Sequence, residues 1–332
     1  LSGRASVDRL LATARALTGL ALLLGACAPV GPAPVAGEPP ARGGGRAATG
    51  PRRGASPGPV SPLPAVAARI GAELNEQRRA VERGEGRAAL ARYEREAQEA
   101  ERRGERLAAA KAHNAVAFIA LRLGTYDKGI RSGRKALELL VAEPTLESVL
   151  TRLRAHLLVG QNYRQVHDLA EVRRHFEVGA EASRALPTRG AALSWSSNFA
   201  HALASLALAS ADYEGAVRHG TTAIRGTEER LALLDASERR GGGRARGARA
   251  VEQQQNVERL LAQELAIVAR AETQLGRLDA ADASLRRALA LARSAKSGEA
   301  EAMTLHALGR VALARNDPQH AVRRFEEGLA LT

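Results

Sequence analysis

Small residues recur along this chain at fixed offsets, and that recurrence limits the fold more than any other feature. Take a small residue as zero. A turn residue follows at +7 and a large residue at +9, then small, large and small residues at +12, +16 and +19. Five units share the pattern: Ala117, Gly124, Tyr126, Gly129, Gly133, Ala136; Gly160, His167, Leu169, Val172, Phe176, Gly179; Ala204, Ala211, Tyr213, Ala216, Gly220, Ala223; Ala269, Gly276, Leu278, Ala281, Leu285, Ala288; and Gly309, Asn316, Pro318, Ala321, Phe325, Gly328. Such spacing predicts two helices joined by a tight turn. The small residues let the two helices approach, the turn residue ends the first, and the large residues fill the groove against the next pair. No pair can bury its apolar face alone, so the pairs must stack.

Composition agrees with an all-α chain. Aromatic residues make up only 3% of the 332 residues, while Ala, Leu, Arg, Glu and Gly dominate, so a large sheet is disfavoured. The stretches LRLGTYDKGIRSGRKALEL, ASADYEGAVRHGTTAI, TQLGRLDAADASLRRALAL and ARNDPQHAVRRFEEGLAL resemble the tetratricopeptide repeat family. That resemblance covers roughly residues 105–332 and implies an α-solenoid of antiparallel helix pairs wound as a right-handed superhelix, acting as a non-enzymatic scaffold for protein or peptide partners. Several features depart from the family. The zero residues stand 43, 44, 65 and 40 apart, against about 34 for the standard repeat. Helices longer by about a turn account for most of this, and a Gly/Arg insertion at residues 239–250 accounts for the 65. Gly133 and Gly220 stand where a large residue is expected, which predicts looser helices there, and Val172 replaces a small residue. Residues 66–104 are helical in pattern but fit the repeat poorly, as a capping helix or a degenerate first pair. The last unit finishes just before Thr332, and its uncapped end would suit a partner or a second copy of the chain.

The N-terminal segment carries a different message. Arg4, Arg9 and Arg15 precede a mostly apolar run from Ala16 to Ala26, too short for a permanent bilayer span and suited to a signal peptide. It ends in Leu24-Gly25-Ala26-Cys27, with Cys27 the single cysteine of the chain. This resembles the lipobox of bacterial lipoproteins, which implies cleavage before Cys27, lipidation there and, with Ala28 following, sorting to the outer membrane facing the periplasm. Residues 1–26 would then be the signal peptide. Residues 27–65, rich in Pro, Gly and Ala, would be a disordered tether holding the folded part away from the membrane. The alternative is a cytoplasmic regulatory repeat protein whose start is placed too early.

Little in the sequence carries chemistry. Ser132-Gly-Arg-Lys135 matches a serine–lysine signature, but it lies in a second helix and its companion motifs are missing. Gly84-Glu-Gly86-Arg-Ala-Ala89 has the letters of a dinucleotide loop with no strand before it. The eight histidines lack metal spacing, and His167 and His175, flanking a turn, read as solvated. One cysteine excludes a disulfide framework or a multi-thiolate metal site within the chain. No enzyme, cofactor or metal is expected. The net charge of +13 attracts anionic surfaces. A flexible basic loop at 239–249, with five arginines in eleven residues, is the one feature that would suit an anionic polymer or nucleic acid; a solvated loop is the favoured reading.

In the family the resemblance points to, first helices line a concave groove. Side chains three residues before the zero residue and one after it point inward. Carried to this chain, those pairs are Asn114 and Phe118, Leu157 and Gln161, His201 and Ser205, Ala266 and Arg270, and His306 and Arg310, with Lys111, Asn198 and Gln263 one turn earlier. The groove would be polar in its first half and basic at its C-terminal end. Arg270 and Arg310 would pair with a partner's carboxylates, and Asn114 and Gln161 would bond an extended peptide backbone.

Overall fold

The computed structural model describes residues 63–141, 145–240 and 248–331. Cys27, the apolar run and nearly all of the Pro/Gly/Ala-rich segment lie outside them, as do residues 241–247 of the insertion. The described residues form twelve helices and no strand. They follow one another as six pairs: α1 (Leu63–Glu82) with α2 (Gly86–Arg102), α3 (Arg106–Leu123) with α4 (Tyr126–Leu139), α5 (Leu146–Gln165) with α6 (Leu169–Arg184), α7 (Arg189–Ala209) with α8 (Tyr213–Arg240), α9 (Ala248–Gln274) with α10 (Leu278–Ser294), and α11 (Gly298–Ala314) with α12 (Pro318–Leu329). Neighbouring helices pack in sequence order. The first helices of successive pairs also touch, α3 on α5, α7 on α9 and α9 on α11, so the assembly is an all-α solenoid.

The turn inside every pair is built the same way. Gly84, Gly124, His167, Ala211, Gly276 and Asn316 all adopt left-handed backbone, with φ between 58° and 77°. In each case the next residue's N–H donates to the carbonyl five residues back, as Thr125 to Ala120 or Asp317 to Ala312, at 2.8–3.1 Å, and this closes the first helix. Three of these turns lack glycine, which costs about 1–2 kcal/mol in left-handed backbone. Those three are the ones followed by aspartate. Asp168, Asp212 and Asp317 accept from the backbone N–H of Glu171, Gly215 and His320, an N-cap contributing about 1 kcal/mol. Behind the glycine turns stand Glu85, Thr125 and Arg277, which make no side-chain cap bond. The cap offsets the strained turn where glycine is missing.

Small residues hold the pairs together by letting specific side chains in. A Cβ added at Gly160 would overlap the Phe176 ring, and one at Gly309 would overlap Phe325, so a small zero residue receives the large +16 residue of its own pair. Where +16 is glycine the direction reverses. A Cβ at Gly133 would strike the Val159 methyl of the next pair, and one at Gly220 the Val268 methyl. The expected loosening at these two glycines is therefore corrected: the missing side chain is replaced by a stiff β-branched one from the following first helix, and the gap becomes a joint between pairs. The wide 204-to-269 spacing comes from two long helices, α8 with 28 residues and α9 with 27.

Candidate peptide-binding face

The inward residues of the first helices fall into two groups. In the N-terminal group nearly everything is covered. Asn114 is fully buried and its amide donates to the Thr151 carbonyl at 2.8 Å, so it is spoken for and offers no donor to a peptide. Phe118 lies in a cluster with Ala80, Leu90 and Tyr93. Leu157 belongs to another with Ile70, Leu74, Leu150 and Leu153. Gln161 and His201 are buried as well, while Ser205 and Asn198 are half-exposed. Burial, reinforced by the Arg164 charge, pushes the His201 imidazole down to about 4, so it is neutral near pH 7.

Helix α1 supplies much of the cover. It meets its own partner α2 only sparsely. Its zero position carries Gln77, too large for the close approach that Ala or Gly permits elsewhere; α1 keeps Ala80 and Val81 against Leu90 and Tyr93 and pairs Glu76 with Arg92 at 2.8 Å, and it also reaches across α3 and α5. Ile70 and Leu74, four residues apart, share the buried cluster of α5. Glu73 pairs with Lys111 at 3.2 Å, and Lys111 also meets Glu147. Gln77 accepts from Arg154 Nη2 at 2.5 Å. Arg154 is 4% exposed and its Nε finds no acceptor among the described residues; burial lowers its guanidinium to about 10, with Glu73 opposing. In the sequence this face is visible as a stripe of Ile70, Leu74, Gln77 and Val81 at helical spacing, made of large residues and so outside the small-residue pattern.

The C-terminal group is open. Arg310 is exposed, and Arg270, His306 and Gln263 are half-exposed; of the predicted set only Ala266 is buried here. Neither Arg270 nor Arg310 has a carboxylate partner among the described residues. Burial lowers the Arg270 guanidinium, and the Arg310 charge adds to the effect. His306 sits 5.3 Å from the Phe325 ring. Burial, Arg310 and Arg270 together push it down to about 4.

Two further polar groups escaped the sequence. His175 is 2% exposed rather than solvated. Its Nδ1 lies 3.1 Å from His156 Nδ1, one nitrogen donating and the other accepting, and burial keeps both imidazoles near 4. His167 does stand exposed at its turn. Between α8 and α9, Thr227 Oγ1 donates to the fully enclosed Glu264 at 3.0 Å. Burial pushes that carboxyl well above the usual range while Arg230 pulls it back. The histidine pair lies on α5 and α6 and Glu264 on α9, turned into the α8 packing, and no signal short of the three-dimensional pairing would have found them.

Residues 261–332, beginning in the middle of α9, match the family model of the tetratricopeptide repeat. No curated protein matches the chain. Among solved structures, the crystal structure of BtubC (BKLC) from P. vanneervenii superposes with a TM-score of 0.57 over 74% of this chain and 90% of that one, at 16% identity. That likeness concerns the fold.

Proposed function

We propose that this chain is a non-enzymatic scaffold that holds an acidic protein or peptide segment on the C-terminal half of its concave face, and that it works from the bacterial cell envelope through a lipid anchor at Cys27. The repeats support a protein-interaction role in general. The observation that carries the finer reading is the pair Arg270 and Arg310, at the same position of successive first helices, whose like charges act on each other and on His306 and which lack a carboxylate among the described residues. A partner's Asp or Glu would relieve that repulsion and form charge-assisted hydrogen bonds. Gln263, Ser205 and Asn198 extend the same face with neutral donors and acceptors. The anchor rests on the Leu24–Cys27 motif, and the tether that follows suits a scaffold held off a membrane.

Two experiments separate the parts of this proposal. Cross-linking followed by affinity capture, repeated with Arg270→Glu and Arg310→Glu, tests the face. Loss of specific partners from the variant is expected, and an unchanged partner list would contradict it. Membrane fractionation of the native chain and Cys27→Ala tests the anchor: the native chain should sediment with the envelope and the variant should not. If both are cytosolic, the chain is a cytoplasmic repeat protein. Binding to nucleic acid through residues 239–249 is disfavoured. It would require an affinity that falls steeply from low to moderate salt and vanishes when the loop is deleted.

A further inference from the structure

Where α1 crosses α3 and α5, its contacts are those of a bound ligand. It places two apolar side chains, Ile70 and Leu74, into the cluster on α5. It sends one carboxylate, Glu73, to Lys111 of α3 and one amide, Gln77, to Arg154 of α5. It joins the rest of the fold through a short turn at Arg83, Gly84 and Glu85, with Gly84 at φ 77°. One of those contacts is poorly matched. Arg154 is a buried cation whose hydrogen-bond partner is neutral, and its Nε has none among the described residues. A buried charge is tolerated best when a counter-charge meets it, and Glu73, whose charge acts on Arg154, is bonded to Lys111.

We propose that α1 is a displaceable resident of this face, and that the site beneath it receives an amphipathic helix from a partner protein, one that presents a carboxylate to Arg154 where α1 presents the Gln77 amide. Such a helix would carry two apolar residues four apart, an acidic residue just before the second, and Glu three residues after it. It would keep the contacts that Ile70, Glu73 and Leu74 make with α3 and α5 and add an ion pair with Arg154 that α1 lacks. The full site would then run from this helix groove to the open arginines. The inference does not depend on those arginines, because Arg270 and Arg310 lie on α9 and α11, away from Lys111 and Arg154.

Hydrogen exchange on the full chain tests it, together with synthetic peptides of residues 63–82 carrying either the native sequence or Gln77→Glu. The α1 amides should exchange at least 100-fold faster than those of α3 and α5, through local opening. Gln77→Glu in the chain should slow α1 exchange about tenfold with α3 and α5 unchanged, since a charged hydrogen bond replaces a neutral acceptor. Added in trans, the Gln77→Glu peptide should bind about tenfold more tightly than the native peptide and speed α1 exchange. That advantage should disappear in Arg154→Met. The proposal fails if α1 exchanges only with global unfolding, if Gln77→Glu leaves α1 exchange unchanged or faster, or if the two peptides bind alike. Exchange of α1 that slows as protein concentration rises would make a second copy the occupant, which also overturns it.

Discussion

The two halves of the concave face obey the same repeat and end in opposite states. In the first, the inward positions at Asn114, Phe118, Leu157 and Gln161 are buried, and an amphipathic helix lies over part of them. In the second, the corresponding positions at Arg270, His306 and Arg310 remain accessible, and the two arginines carry like charge around a neutral histidine. The register is constant, so the difference comes from side-chain type. Leu150, Leu153 and Leu157 make an apolar stripe on α5 that gains from cover, and the position after the zero residue there is the buried Gln161, whereas the same position on α9 and α11 carries Arg270 and Arg310, which resist cover. One face of a repeat can thus be stabilising at one end and available for binding at the other.

The largest expected effect tests this division directly. Leu157→Ala should lower unfolding free energy by about 2–5 kcal/mol, and Arg310→Ala should change it by less than about 0.5 kcal/mol, both read from urea unfolding. Equal losses would erase the distinction. Next come the joints: Gly133→Ala and Gly220→Ala should each cost about 1–3 kcal/mol, because the new methyl meets Val159 or Val268 in a filled space. A gain in stability at either site would show the helices there to be loose after all.

These joints also mark where sequence reasoning reached its end. The zero and +7 positions could be read from spacing because both halves of that interaction lie within a few residues. Thus Gly124, His167, Ala211, Gly276 and Asn316 stand at turns that close their own helices. Whether Gly133 leaves a void depends on Val159, 26 residues on, and Gly220 depends on Val268, 48 residues on. Periodicity says nothing about such partners. The site was limited in the same way. Inward direction follows from register, but burial of Asn114 and His201 follows from what packs above and beside them, and Arg154 meets Gln77 across 77 residues. His175 was misread because a residue close to a turn in sequence can still face the next helix.

Acid should sharpen the comparison on a smaller scale. His201 is held near 4 when folded and titrates near 6.5 when unfolded. The unfolded chain therefore takes up the proton first as pH falls, and the stability His201 contributes is present above 6.5 and lost between 6.5 and 4. His201→Gln should flatten that part of the stability profile measured by denaturant titration. His306 has a similarly low value for a partly different reason, since Arg310 and Arg270 add to its burial. An acidic peptide bound to those arginines should raise the His306 value, followed by NMR, and leave His201 where it is. Parallel movement of both histidines would mean that the halves are not independent.

The most direct test of the central claim is the affinity of the full chain for an acidic peptide, compared with the Arg270→Glu, Arg310→Glu double variant by fluorescence anisotropy at low and moderate salt. Two lost charge-assisted contacts should weaken binding at least about tenfold, with the urea midpoint unchanged and the loss greater at low salt. Equal affinity in a variant that remains folded would contradict the account and move the partner away from this face.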